Sequence, residues 1–258
     1  MDFDQVRNVV ALPFAGLTFS VCTLVTRTDQ YGRMLQSFKA CGFGADNAEF
    51  IIVDNRQGNS FDAYDGLNEL MARARGRYII CCHQDVELIG DGAVELQAKL
   101  EELSAYDPKW AVAGNAGIGP QGAAFRISDP TGENQNSGTF PSLVYSLDEN
   151  FLVFRADART GLSADLGGFH LYGTDACLQA ELRGLKSYVI DFHLRHHSPG
   201  AVDESYFECL RRFEEKYSAA FKSRRLRTSV KTAYITSSYW RAQWWNMKKR
   251  RRARRDAR

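Results

Sequence analysis

The sequence predicts an α/β protein whose mainly parallel sheet is flanked by helices. Three observations predict it. Between residues 17 and 114, short β-rich apolar runs alternate with segments of helical period. The runs are almost continuously apolar, as strands covered on both faces are. The first three runs each close on polar residues: Thr26-Arg27, Asp54-Asn55 and His83-Gln84-Asp85. Right-handed crossovers place the C-terminal ends of such strands along one edge, where ligands of open α/β sheets bind. The pattern therefore delivers three polar clusters to one crevice.

Residues 17–26 form the first strand. The apolar stretch over 9–25 is short for a membrane span and carries Pro13, Gly16, Thr18, Ser20 and Thr23, so it reads as a lead-in to that strand. Met34, Leu35, Phe38 and Cys41 make a helical stripe over 31–41, ended by Gly42 and Gly44. Residues 50–53 are the second strand. Ser60 caps a helix carrying Phe61, Tyr64, Leu67, Leu70, Met71 and Ala74, closed by Gly76. A third strand over 78–82, a helix over 93–103 and a short strand over 110–114 follow. Residues 115–142 are rich in Gly, Asn, Gln, Ser and Thr and read as a long loop. The two apolar pieces of 144–155, either side of Asp148-Glu149-Asn150, read as paired strands. A helix begins at Asp175, and a strand over 187–192 leads into His193, His196 and His197.

Charge divides the chain in two. Its 258 residues carry 33 Lys+Arg and 31 Asp+Glu, a net charge of only +2. Residues 1–208 hold 16 basic and 28 acidic side chains, net −12, whereas 209–258 hold 17 and 3, net +14. A catalytic or binding body over 1–208 and a basic helical extension over 209–258 are expected. The 44% hydrophobic and 12% aromatic content is enough for a core and excludes a disordered chain. Six Cys without a CxxC pair exclude a zinc cluster or disulfide framework and suit a reducing cytoplasm. The acidic opening Met1-Asp2-Phe3-Asp4 is a poor start for a signal peptide.

Several residues carry candidate chemistry. Asp85, at a strand end, can hold a divalent cation that bridges diphosphate oxygens, or serve as a turn residue. Asp54 can accept from a ribose hydroxyl or base N–H, or close an Asx turn into Asn55. Asp175, in Gly173-Thr174-Asp175, can act as a general base or cap its helix. Gly167-Gly168 upstream lets backbone approach a ligand closely. His196-His197 offers neutral imidazoles to a metal.

Together these segments resemble bacterial family-2-like glycosyltransferases of the GT-A fold. The matching stretches are VCTLVTR, FIIVDN, GLNELMARARGRYIICCHQDVEL, DLGGFHLYGTD and VIDFHLRHHSPG, in the family's order over about 17–200. The resemblance implies a nucleotide site lined by Thr26, Arg27, Asp54, Asn55, Asn68, His83 and Gln84. It implies a Mn²⁺ or Mg²⁺ site at Asp85 with His196, or His197 in the alternative register. It implies Asp175 as the base of an inverting displacement, and Gly168, His170 and Tyr172 around the sugars. His83 stands where the first Asp of the family's DxD motif usually stands, as in a subgroup with HQD. Thr174 replaces the Glu of the Glu-Asp pair.

The function expected is sugar transfer from a nucleotide-diphosphate donor to an acceptor hydroxyl on a glycan or lipid-linked acceptor. The competing expectations are a sugar nucleotidyltransferase and a non-catalytic nucleotide-sugar-binding scaffold. The first would want a Gly-rich basic loop after the first strand, and VTRTDQYGR lacks it. In the extension, Trp240, Trp244 and Met247 share one helix face beside a Lys/Arg run. That pattern suits an anionic membrane surface better than nucleic acid, and docking of the Trp face on protein is the other reading. The location expected is cytoplasmic, peripheral on the inner face of the membrane.

Overall fold

The computed structural model describes residues 16–198, 200, 202–227, 232–238, 240, 241, 243–245, 247 and 248. The lead-in over 9–15 and the basic run over 249–258 lie outside them. Contacts divide the chain into two compact units, Met1–Cys209 and Leu210–Arg258.

In the first unit β1 (Phe19–Val25), α1 (Thr28–Ala40), β2 (Ala48–Asp54), α2 (Ala63–Arg73) and β3 (Tyr78–Cys82) follow in order. Then come β4 (Val86–Leu88), α3 (Ala93–Tyr106), β5 (Trp110–Gly114), β6 (Ala116–Gly119), β7 (Gly122–Asp129) and β8 (Gly132–Ser137). They are followed by β9 (Ser142–Val144), β10 (Ser146–Leu147), β11 (Phe151–Arg155), α4 (Tyr172–Leu182), β12 (Lys186–Val189) and β13 (Leu194–His196). The helix α5 (Glu204–Ala220) begins in this unit.

The main sheet has seven strands in the order β2-β1-β3-β11-β5-β12-β9. β1 is parallel to β2 and β3, and β12 is parallel to β5. β11 runs antiparallel between β3 and β5, so those two point the same way. Only β11 and the edge strand β9 oppose the common direction. The expected α/β fold with a mainly parallel sheet and flanking helices is present.

Local sequence explains the helices. Met34 and Phe38 bury the stripe of α1 at 0% exposure. Asp62, not Ser60, caps α2, accepting from Asp65 N at 3.0 Å. Ser60 N is instead held by Asn55 Oδ1 at 2.9 Å. Glu95 folds back on Gly92 N at 2.9 Å to start α3. Phe19, Phe43, Tyr78 and Trp110 pack in the core, with Tyr78 stacked on Trp110 at 6.1 Å. The Arg155 guanidinium lies over the Trp110 ring at 5.4 Å.

Two further sequence expectations change. The stretch over 115–142 is no loop: it supplies β6, β7 and β8 of a second sheet, ordered β10-β6-β7-β13-β4 with β8 on β7. Its polar strands lack a hydrophobic period, but its turns are tight. Gly119 faces Gly122, where φ is +101°, and Asp129 Oδ1 accepts from Thr131 N at 2.8 Å. Nor do the two pieces of 144–155 pair together. β10 joins β6 and β11 enters the main sheet, because Phe151, Leu152, Val153 and Phe154 are apolar enough for burial on both faces.

The second unit contains the hairpin of β14 (Arg224–Arg227) and β15 (Thr232–Ile235) and helical residues at 240, 241, 243–245, 247 and 248. Among the described residues no helix is long and apolar enough to cross a membrane.

Candidate active site

The C-terminal ends of β1, β2 and β3 open on a cavity of about 310 Å³. Thr26, Asn55, His83, Gln84 and Asp85 line it, with Phe169, Tyr172 and Ser198 opposite. Strand direction alone brings the first five together, as the crevice rule requires.

Three side chains converge in a way that can hold a metal. Donor atoms of His83, Asp85 and His196 all lie within 4.8 Å of one another. His83 Nδ1 is 3.2 Å from His196 Nε2, which is 3.5 Å from Asp85 Oδ1. Ligands about 2.1 Å from a shared cation sit at such separations. Burial and the neighbouring His196 push His83 down, so its imidazole is neutral. Burial pushes Asp85 up, but hydrogen bonds from His196 and Ser198 outweigh it and hold the carboxyl well below its usual range.

β4 and β13 build this corner. They pair antiparallel with His196 opposite Val86, which carries His196 beside the residues that follow β3. Side chains alternate along an extended chain. His196 therefore faces inward at 8% exposure, while His197 turns out to Glu87 Oε2 at 3.2 Å. The expectation of His197 as a metal ligand is corrected on that ground.

His83 is held from behind. Its Nε2 lies 2.7 Å from Tyr172 Oη, which donates to the Glu149 carbonyl at 3.2 Å. Burial pushes the Tyr172 phenol far up, so it remains a donor. Tyr172, expected near the sugars, braces His83 in the candidate metal corner. Gln84 is fully engaged as well. Its Oε1 accepts from Thr26 N and Arg27 N, both at 2.9 Å, and its Nε2 donates to Thr26 Oγ1 at 2.7 Å.

Other expected residues are spent on architecture. Asn55 lines the cavity, yet its amide closes the following loop through Ser60 N, Phe61 N and Phe61 O. Asn68 lies outside the lining and clasps Leu162 through N and O at 2.9 and 3.1 Å. The nucleotide role expected of Asn68 does not fit that geometry. Asp54 is exposed and grips Arg56 at 2.7 Å, which holds it at about 2. Arg27 is exposed beside Asp29 at 3.4 Å. Gly168 N donates to Asp62 Oδ2 at 2.7 Å, and Ala63 N donates to Gly168 O at 3.0 Å. His170 Nε2 is 3.1 Å from Ser205 Oγ, and its ring meets Tyr206 edge-on at 5.5 Å. Asp175 is 0% exposed and is not brought to the cavity; its oxygens accept from Ser163 N at 2.7 Å and Ser163 Oγ at 2.6 Å.

Sequence reasoning missed Ser198, which bonds His196 Nε2 at 3.2 Å, and the cavity residue Phe169. Both sit inside the segments that carry the motifs, one residue from a named position. The thiols of the cavity floor are unreactive: burial pushes Cys82 up to about 12.

No family model matches the sequence. A protein of Fuscovulum blasticum called "ATP synthase subunits region ORF 6" is 42% identical over 215 residues, covering 81% of this chain and 86% of that one. The structure is similar to that of S. aureus TarS 1–349 in complex with UDP-GlcNAc, with a TM-score of 0.50 and 12% identity over 72% of this chain. The chain spans only 60% of that TarS fragment, and the likeness is one of fold. The mannosyltransferase PcManGT of Pyrobaculum calidifontis, in complex with GDP-Man and Mn²⁺, follows at a TM-score of 0.49 and 11% identity, covering 84% of this chain and 67% of that one, a looser likeness that decides nothing.

Proposed function

The chain belongs to the family of the Fuscovulum blasticum protein called ATP synthase subunits region ORF 6, and for this member we propose a metal-dependent, inverting glycosyltransferase. It moves a sugar from a nucleoside-diphosphate donor to an acceptor hydroxyl on a glycan or lipid-linked molecule, at the cytoplasmic face of a membrane. One observation carries the reading: His83, Asp85 and His196 converge at the strand-end crevice, where the fold binds ligands. The similar TarS fragment was solved with UDP-GlcNAc, which supports a nucleotide-sugar donor here.

His83 Nδ1, Asp85 and His196 Nε2 would hold the cation. Two imidazoles and one carboxylate suit Mn²⁺ better than Mg²⁺, which favours oxygen ligands. Such a cation supplies positive charge to the diphosphate leaving group. Thr26 and Arg27, pinned by Gln84, wall the nucleotide side, and exposed Asp54 is offered to the nucleoside. Phe169, with Gly168 and His170 beside it, borders the sugar end.

Asp175 is the base of this reading. It removes the acceptor proton as the acceptor oxygen bonds to the anomeric carbon and the bond from that carbon to the diphosphate breaks. The Ser163 hydroxyl already donates to Asp175 as an acceptor hydroxyl would. Asp175 is fully buried and outside the cavity, so this role requires both that Ser163 yield its place and that the carboxylate be uncovered to the crevice.

A panel of nucleotide sugars, assayed for hydrolysis and transfer with and without Mn²⁺, tests the reading. Metal-dependent release of a nucleoside diphosphate is expected, and Asp85→Ala should abolish metal-dependent donor binding in calorimetry. Donor binding by Asp85→Ala equal to that of the intact protein would overturn the metal assignment.

A further inference from the structure

The second unit sorts its tryptophans. Trp245 is half-buried, with its ring 5.3 Å from Tyr234 and the Arg225 guanidinium 4.9 Å from its centre. It fastens the helical segment to the hairpin. Trp240, Trp244 and Met247 are instead 80%, 49% and 53% exposed. Their spacing of four and three residues puts them on one helical face.

Lys248 stands at that face, and further cations lie near it in the chain. Lys248 Nζ stands 3.8 Å above the Trp244 ring, and Arg241 is exposed one residue after Trp240. Arg224 and Arg225 are exposed on the hairpin. Beyond them the sequence over 249–258 adds seven Lys and Arg against the single Asp256. A surface of large apolar side chains with Lys248 on it and a dense Lys/Arg run next to it in sequence fits a partner that is apolar inside and anionic outside.

We propose that this face is a membrane-docking surface: Trp240, Trp244 and Met247 enter the headgroup boundary of an anionic bilayer while the neighbouring Lys and Arg contact its phosphates. Trp is at home at that boundary, and basic residues beside an apolar face are the signature of helices lying in the interface. Met247 favours lipid over nucleic acid, because a thioether adds acyl contact but no ring for a base to stack on. Among the described residues no helix is long and apolar enough to cross a bilayer, and the electrostatic part of such docking weakens with salt.

The inference is independent of the transfer reading, since docking is measured without donor or acceptor. The full chain is incubated with phosphatidylcholine vesicles containing about a third phosphatidylglycerol, and with pure phosphatidylcholine vesicles. Flotation should recover it with the anionic vesicles only, and molar salt should release it. Acyl-chain-brominated lipid should quench its tryptophan fluorescence. Trp240→Ala with Trp244→Ala should lower the partition coefficient at least about tenfold and remove most of the quenching, while Trp245 keeps the hairpin in place. Equal flotation of intact protein and double variant would overturn the proposal. So would binding of the intact chain to a single-stranded oligonucleotide without recovery on anionic vesicles.

Discussion

His83 Nε2 and Tyr172 Oη stand 2.7 Å apart, and this contact decides which nitrogen of His83 is free. With the Tyr172 hydrogen on the Glu149 carbonyl, its oxygen accepts the proton on His83 Nε2. Nδ1 is then bare and turned toward His196 and Asp85. Partners behind a ligating imidazole set its tautomer, and their loss typically costs about 10–100-fold in metal affinity. Tyr172→Phe should therefore weaken Mn²⁺ binding by that factor in calorimetric titration and change the absorption bands of a Co²⁺-loaded protein. An unchanged affinity and unchanged bands would mean that Tyr172 only fills space.

Asp175 and Ser163 can be separated by substitution. Asp175→Asn should cost about 10²–10⁴-fold in turnover and leave the donor Kd alone, as loss of a general base does. Ser163→Ala deletes a buried hydrogen bond to a carboxylate and should cost on the order of 1.5–3 kcal/mol of stability with turnover largely kept. Thermal melts beside steady-state rates distinguish the two. A lower Tm with an intact rate in Asp175→Asn would remove Asp175 from the chemistry.

Stability should depend on pH through Glu149. Burial, with Asp148 adding repulsion, pushes its carboxyl from 4.5 up to about 8. The unfolded chain loses this proton near 4.5, whereas the folded chain keeps it until about 8. The contribution of Glu149 is thus fully present below 4.5 and is lost as the pH rises through 8. In chelator, the Tm of the intact protein should decline between pH 5 and 8, and Glu149→Gln should flatten that decline. Parallel Tm curves would place the titration elsewhere.

Gly173, in the first turn of α4, is fixed by Leu147 at the end of β10. A Cβ at this position would overlap the Leu147 carbonyl oxygen, a backbone atom with no room to retreat. Gly173→Ala should cost on the order of 1–3 kcal/mol in denaturant melts, the usual price of forcing a methyl into packed backbone. A neutral substitution would show that the first turn of α4 can shift away from β10.

What sequence reading reaches follows from what it measures. The strands β1, β3 and β5 announce themselves because burial on both faces demands unbroken apolar runs. Asp85 and His83 are visible as the polar residues that end one of them. The strands β6 to β8 escape, since residues such as Asn134, Gln135 and Asn136 carry no period. Their pairing comes from turns and distant partners. Asn68 looks like a ligand residue and is a clasp, because a side-chain amide serves backbone and substrate equally well. His197 and His196 are indistinguishable in the sequence; only the inward turn at the end of β13 separates them.

Gln84 lies between two of the metal donors in the chain, yet its amide is tied to the start of α1. A displacement of the β1–α1 turn is thereby transmitted to the chain between His83 and Asp85, which leaves this side of the crevice little slack. The opposite rim is built differently, because Phe169 and Ser198 are carried on connecting segments rather than on the parallel strands.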